Sequence, residues 1–206
     1  MKIICVGLNY QAHIDEMKRS FSEKPNDPTL FMKPETALLS TDKLQFYIPD
    51  FTKEVHYEAE IVVRIEKMGK NIAERFAHRY YNQIALGLDL TARDLQAQQK
   101  AKGLPWEISK AFDNSAIVGN LLSKENFDLS KLNFSLEKNG QLVQQGNTEN
   151  MIHSIDQIIA YASQFFTLKT GDLIFTGTPA GVGRIDIGDQ LKGYIEGEEN
   201  FSLEIC

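Results

Sequence analysis

Two glutamates one residue apart, Glu58 and Glu60 in the run HYEAEIVVRI (56–65), are the sharpest chemical signal in the chain. The run has the alternation and β-branched content of a strand. In an extended chain Tyr57, Ala59, Ile61, Val63 and Ile65 share one face. Glu58 and Glu60 share the other, about 6.6 Å apart at two residue rises. Neighbouring carboxylates repel, so a sheet carries such a pair only where something offsets the charge. A divalent cation does so, because Mg²⁺ and Ca²⁺ take oxygen ligands. A third hard ligand is available in Asp89, inside a second apolar strand-like run, IALGLDL. Three carboxylates on two strands would hold a cation and leave positions open for water or substrate. The competing reading is a solvated strand face, since E-x-E is a common pattern.

A second constellation lies near the start, in NYQAHIDEMKR. On a helix His13 and Glu16 face the same way at i and i+3. A carboxylate that holds an imidazole fixes its tautomer and raises its basicity, which is how a general base is equipped. An ordinary surface His–Glu pair has the same spacing. Arg93 and Gln96 are again three apart, on the segment that leaves the Asp89 run. Lys110, between Ser109 and Ala111 amid apolar neighbours, is either desolvated and reactive or snorkelling to water. Lys33, held extended before Pro34, either faces an anionic ligand or is simply solvated.

These residues need elements to position them. KIICVGL (2–8) predicts a buried strand ending at Gly7, with Cys5 inside it. Residues 20–30 predict a polar loop, either a lid over the His13 region or a plain connection. NIAERFAHRYY (71–81) predicts a helix with an apolar stripe of Ile72, Phe76 and Tyr80. TARDLQAQQKAK predicts another, with Thr91 near its N-cap and Gly103 past its end. Asn139–Gly140 signals a two-residue hairpin turn. MIHSIDQIIAYASQFF (151–166) is the clearest 3.6-period helix. The Gly-rich TGDLIFTGTPAGVGRIDIGDQL lacks a P-loop, and Asp186 stands where a dinucleotide fingerprint needs its third glycine. Its N–H groups with Thr176 or Thr178 would suit a carboxylate. IGDQLKGYIE and FSLEIC predict closing strands.

The 206 residues suit one domain, and 42% apolar with 24% charged residues is an ordinary globular composition. A net charge of −6 without a basic block argues against nucleic acid and anionic membrane surfaces as partners. The apolar run in MKIICVGL is too short for a signal-peptide core, and no run approaches the roughly 20 residues of a membrane helix. Cys5 and Cys206 form no disulfide framework, so a cytoplasmic setting is expected.

Taken in order, VGLNYQAHIDE, FMKP, HYEAEIVV, GLDLTARDLQ, WEISKAFD, NGQLVQQGNT and GDLIFTGTPAGVG resemble the fumarylacetoacetate hydrolase superfamily over nearly the whole chain. The likeness is greatest to its short branch of acylpyruvate hydrolases, oxaloacetate decarboxylases or tautomerases, and dienedioate isomerases. The resemblance implies an α+β, predominantly β fold, a mixed β-sandwich roll with peripheral helices, in a single catalytic domain over 1–206 with a lid at about 9–30. It also implies a homodimer and a bound Mg²⁺ or Mn²⁺, with Ca²⁺ as a substitute. Carried over by motif, Glu58, Glu60 and Asp89 would be the metal ligands, and His13 and Glu16 the catalytic dyad. Lys110 and Gln96 would contact substrate or water, with Lys33, Arg93 and Thr178 lining the pocket.

The implied reaction is cleavage of a C–C bond in a small 2-keto acid through a metal-stabilised enolate. The His–Glu pair favours hydrolase or decarboxylase over tautomerase or isomerase, which share that intermediate. A non-catalytic relative that binds metal and keto acid is the minor alternative. Three departures stand out. Ala111 occupies a position where the family often has Gly, which would narrow the pocket. EGEEN (196–200) replaces a usual Gly-Ile-Gly, which puts the C-terminal hairpin in question. The chain starts at its first strand, without the large N-terminal domain of the longer hydrolases.

Overall fold

A computed structural model describes residues 1–16, 26–39 and 45–206. In chain order the elements are β1 (Ile3–Gly7), α1 (Gln11–Glu16), β2 (Thr29–Lys33), β3 (Gln45–Phe46), β4 (Val55–Tyr57) and β5 (Ala59–Ile65). Then come α2 (Glu74–Ala77), β6 (Tyr81–Asp89), β7 (Thr91–Ala92), α3 (Arg93–Lys102), α4 (Glu107–Lys110), β8 (Ala116–Val118) and β9 (Leu122–Ser123). The second half holds β10 (Asn133–Lys138), β11 (Gln141–Asn147), α5 (Ile155–Phe165), β12 (Leu173–Phe175), β13 (Gly183–Ile185), β14 (Gln190–Ile195) and β15 (Glu198–Ile205). The fold is α+β and predominantly β, as the resemblance implies.

One sheet runs β2-β1-β12-β5-β6-β8, with β9 also on β6; a second runs β11-β10-β14-β15-β3; a small third is β13-β4-β7. Most pairings are antiparallel, while β1–β12 and β15–β3 are parallel. The main core lies between the two larger sheets. Ala59, Ile61, Val63 and Ile65 of β5 meet Phe134 and Leu136 of β10 and Phe201 and Leu203 of β15 in one cluster. The expected alternation along β5 is therefore present, but its other face is not wet. Val62 packs there with Ile3, Cys5, Leu173 and Phe175 in a second cluster. Glu60 shares that face and is 2% exposed, so the solvated-strand reading fails.

The predicted strand 56–65 is broken at Glu58. β4 belongs to the small sheet and β5 to the large one, and Glu58 is the corner between them. The Asp89 N–H donates to the Glu58 carbonyl at 2.9 Å, which sets the two residues opposite each other where β5 and β6 end. The predicted helix 71–81 is reduced to the single turn of α2. Asn71 has a left-handed φ of 52°, and Tyr81 is drawn into β6 opposite Ile65. Phe76 of the expected stripe faces outward beneath the guanidinium groups of Arg75 and Arg79.

The strongest predicted helix starts at Ile155 rather than Met151. Ser154 caps it through a reciprocal box with Gln157, and Met151 instead bridges to Tyr10. α3 ends at Gly103 with φ 64°, as predicted, but Thr91 lies in β7 and Ala92 takes the N-cap position. The predicted loop 20–30 already becomes strand at Thr29; its residues 20–25, and residues 17–25 of the lid expected at about 9–30, lie outside the described residues. Asn139 (φ 54°) and Gly140 (φ 77°) make the expected turn between β10 and β11.

EGEEN forms the C-terminal hairpin in its own way. Glu196 and Gly197 turn β14 into β15 at φ 48° and 83°. Asn200 is buried and accepts the Leu86 N–H at 2.8 Å, tying this hairpin to β6. Among the described residues no helix is long and apolar enough to cross a membrane.

Candidate metal centre and keto-acid pocket

The corner at Glu58 brings together what the sequence scatters. One carboxylate oxygen from each of Glu58, Glu60 and Asp89 lies within 4.8 Å of the others, and all three residues are buried. They line one pocket with His13, Arg93, Gln96, Lys110 and Thr178. Val6, Gly7, Leu8, Phe31, Lys100 and Trp106 also line it.

Each carboxylate is fixed by specific partners. The Lys110 ammonium sits between Glu58 Oε2 and Asp89 Oδ2, 2.7 Å from each. Arg93 reaches Glu58 Oε1 at 2.6 Å with one nitrogen and gives the other to Gln96 Oε1 at 2.7 Å. Glu60 Oε2 accepts the Gly177 N–H at 2.7 Å. Gly177 has a φ of +96°, and a Cβ there would come within 2.6 Å of Asn9 Cβ, so this close approach needs glycine. Asn9 holds the same corner from the other side, donating to Thr176 O and His153 O at 2.7 and 3.0 Å. Gln144 links β11 to the pocket: it accepts the Ala59 N–H and donates to Thr178 Oγ1, both at 2.9 Å.

Charge separates the three carboxylates. Burial alone would raise Glu58, but Lys110 and Arg93 beside it overcome that and hold it well below the usual carboxylate range. Among the described residues Glu60 has no ion-pair partner of its own. Burial, then the charges on Asp89 and Glu58, push it well above the ordinary value. Burial would lower Lys110, yet Asp89 and Glu58 more than reverse this, so it stays an ammonium. A cluster of three hard oxygen donors, one of them without an ion-pair partner among the described residues, fits a divalent metal ion. Glu58, Glu60 and Asp89 are the residues that could hold it.

Lys33 is where the structure departs from expectation. It is 1% exposed and lies behind Asp89 rather than in the pocket wall. Its ammonium pairs with Asp89 Oδ1 at 2.8 Å and donates to the Lys110 carbonyl and to Ser115 Oγ at 2.9 Å. Lys33 ends β2 opposite Ile3 of β1, and after a 3₁₀ turn at Glu35–Ala37 Leu38 bridges to Ala116 of β8, so Lys33 is held inside the sheet. Substrate contact by Lys33 is therefore withdrawn in favour of a contact that fixes Asp89.

His13 is buried on α1, but its bond to Glu16 is not formed. Nδ1 is 3.7 Å from Glu16 Oε2 and has no hydrogen-bond partner among the described residues. Glu16 instead accepts the Gly181 N–H with both oxygens, at 3.2 and 3.0 Å. Burial holds the imidazole below its ordinary value; Arg93 and Lys110 push the same way, while Glu58 and Glu16 oppose. The Arg93 Nε–H is likewise buried and unpaired among the described residues. Two polar atoms are thus left for a ligand to satisfy.

Sequence reasoning missed Phe31, Trp106 and Lys100 as pocket residues. Lys100 had a readable signal, because 93, 96 and 100 follow one helix face. Leu8, at φ 64°, had none; its strained backbone is a consequence of the turn out of β1.

The family model described as "Fumarylacetoacetate (FAA) hydrolase C-terminal" matches residues 2–204. Oxaloacetate tautomerase YcgM of Escherichia coli K12 is 42% identical over 198 residues, 95% of this chain and 89% of that protein. The human protein named oxaloacetate tautomerase FAHD1, mitochondrial, is 40% identical over 204 residues, covering 98% and 90%. Fumarylpyruvate hydrolase from Pseudomonas aeruginosa, solved with Mn²⁺ and pyruvate, superposes with a TM-score of 0.92 at 37% identity, covering all of this chain and 89% of that one. Profile, sequence and fold agree over nearly the full length, and the chain belongs to the fumarylacetoacetate hydrolase family of enzymes that process keto acids.

Proposed function

We propose that this chain is a divalent-metal-dependent enzyme that interconverts the keto and enol forms of a small 2-keto acid, with oxaloacetate as the first substrate to test. The observation that carries the reading is the buried Glu58–Glu60–Asp89 cluster, set at the base of a pocket that also holds an ammonium, a guanidinium and an imidazole. The names of the tautomerase relatives select the reaction among those that share this chemistry. This reverses the preference for C–C cleavage drawn from the His–Glu spacing, since Glu16 is engaged with Gly181.

Glu58, Glu60 and Asp89 would hold Mg²⁺ or Mn²⁺, which supplies Lewis-acid polarisation of the 2-oxo group. Arg93, with its unpaired Nε–H, and Gln96 orient the carboxylate of the acid. Lys110 stays protonated and donates a hydrogen bond to the oxygen on which charge grows. His13, kept neutral, takes the proton from C3 and, as the imidazolium so formed, returns it to the enolate oxygen, which leaves His13 neutral again. Thr178, its hydroxyl oriented by Gln144, contacts the far side of the substrate. The phenyl and indole of Phe31 and Trp106 limit water at the pocket wall.

The second reading is hydrolytic C–C cleavage, favoured by the likeness to the fumarylpyruvate hydrolase. It requires Glu16 to leave Gly181 and engage His13, which then deprotonates water. A homodimer and a cytoplasmic, reducing setting belong to the same proposal, the latter supported by two free cysteines, of which Cys5 is buried. Sedimentation would separate a monomer from the dimer.

The test is to strip metal with EDTA, restore Mg²⁺ or Mn²⁺, and follow enol absorbance and pyruvate for oxaloacetate and acetylpyruvate. Metal-dependent enol–keto exchange without pyruvate supports the tautomerase. Pyruvate appearing with metal moves the assignment to cleavage. No change with either metal sinks both.

A further inference from the structure

Gln144 is a polar side chain at a core-facing position of the second sheet. It lies opposite Leu136 of β10, a core residue, and is 2% exposed. The β10–β11 pairing shifts at this point: Leu136 faces Gln144 and Glu137 faces Leu142, which leaves Val143 as the extra residue of a bulge. A bulge bends its strand and re-aims the neighbouring side chain. Gln144 reaches out of its own sheet to the carboxylate corner, where its three contacts lie. It does not itself line the pocket.

The partners fix which way the amide points. The Ala59 N–H, between Glu58 and Glu60, can only donate, so it selects Oε1 at 2.9 Å. The Pro179 carbonyl can only accept, so it selects Nε2 at 3.1 Å. Nε2 carries a second N–H, and this one meets Thr178 Oγ1 at 2.9 Å. An amide nitrogen does not accept, so the hydroxyl oxygen is the acceptor in that bond. The hydroxyl proton has no acceptor among the described residues, and Thr178 lines the pocket. Its O–H is a donor available to a ligand.

We propose that Gln144 is a positioning residue that holds the Thr178 hydroxyl as a hydrogen-bond donor to the pocket. By occupying the Thr178 oxygen from behind, Gln144 makes this wall select a ligand atom with a free lone pair, a carboxylate or carbonyl oxygen, over a donor-only group such as an ammonium. The inference rests on the keto-acid reading above and adds what sets the polarity of one contact in that site.

The experiment measures kcat and KM for oxaloacetate at saturating Mn²⁺, with Mn²⁺ binding followed by electron paramagnetic resonance, in wild type, Thr178→Val, Thr178→Ser, Gln144→Glu and the double variant Gln144→Glu/Thr178→Val. Thr178→Val should raise KM about tenfold with kcat changed less than about twofold, as for loss of one hydrogen bond to a charged group. Thr178→Ser, which keeps the hydroxyl, should recover most of that. In Gln144→Glu the Ala59 N–H keeps its acceptor, so Mn²⁺ binding is retained, but the hydroxyl turns to donate to the new carboxylate and KM rises at least as far as in Thr178→Val. The double variant should be no worse than Thr178→Val, because Gln144 acts through the hydroxyl. If the buried carboxylate prevents folding, Gln144→Met takes its place, with a KM rise that is again absent once Thr178 is Val. Effects on KM that multiply in the double variant overturn the inference. So does an unchanged KM in Thr178→Val, or weakened Mn²⁺ binding in Gln144→Glu with KM unchanged, which would assign Gln144 to the metal corner alone. A wild-type protein that turns over no keto acid overturns the keto-acid reading, and this inference with it.

Discussion

The carboxylate corner and helix α1 face the same pocket but are built differently. At the corner every acidic side chain is buried and held by at least one short contact from a separate element. Lys110 comes from α4, Arg93 from α3, Lys33 from β2 and the Gly177 N–H from the turn after β12. On α1, among the described residues, His13 is buried without a hydrogen bond at Nδ1, and Glu16 is exposed and hydrogen-bonded to the Gly181 N–H. The first arrangement is over-determined and suits a group that must not move, such as a metal ligand. The second leaves Glu16 on Gly181 with His13 Nδ1 only 3.7 Å away, which suits a group that engages when substrate is present.

Substitutions should expose this contrast. The largest effect is expected for Glu60→Gln. Turnover should fall roughly a thousandfold, the loss of several kcal/mol of Lewis-acid stabilisation at 1.4 kcal/mol per decade. The metal-free fold should lose less than about 1 kcal/mol, since Gln still accepts from Gly177 and a buried repulsion is removed. Urea unfolding in EDTA measures this. Glu58→Gln should differ in kind, costing about 3 kcal/mol by the same assay, because Lys110 and Arg93 lose a buried partner. Equal stability losses in the two variants would show that the cationic partners do not divide the carboxylates as described.

On the α1 side, His13→Ala should lower kcat about a hundredfold with little change in stability. A variant that unfolds earlier instead would make His13 a core residue. Gly181→Ala should cost about 2 kcal/mol. Gly181 has a φ of +97°, and a Cβ there would come within 2.3 Å of the Val143 carbonyl. Its turnover loss should track that of Glu16→Gln if the Gly181 contact sets the resting state of α1.

The smallest effect is on pH. Because burial first, and then Arg93, depress His13, its neutral form persists to lower pH than in a free imidazole. With His13 as base, the acid limb of kcat/KM should have its midpoint below about 6.5. A midpoint at or above that value would contradict a neutral, buried base.

Much of this was legible in the sequence. Glu-x-Glu on one strand and Asp89 on the next are enough to suggest a three-carboxylate site, and the structure brings them together with Lys110, Arg93, Gln96, His13 and Thr178. The break at Glu58 was not legible, because HYEAEIVVRI has an unbroken strand pattern and the corner is imposed by β6 and β7 from outside. Nor was the burial of both faces of β5: alternation shows two faces but not that a second layer covers the polar one. Lys33 misled because a lysine is normally solvated or ligand-facing, while here five acceptors from three other segments enclose it. The start of α5 could have been read from Ser154 and Gln157, whose spacing is that of a capping box.

The most direct test of the account is Mn²⁺ titration of EDTA-stripped protein, read by electron paramagnetic resonance, for wild type and Glu60→Gln. The account predicts a single tightly held Mn²⁺ in the wild type and its loss in the variant while the fold remains intact. No binding by the wild type, or equal binding by both, would contradict the assignment of Glu58, Glu60 and Asp89 as the metal centre.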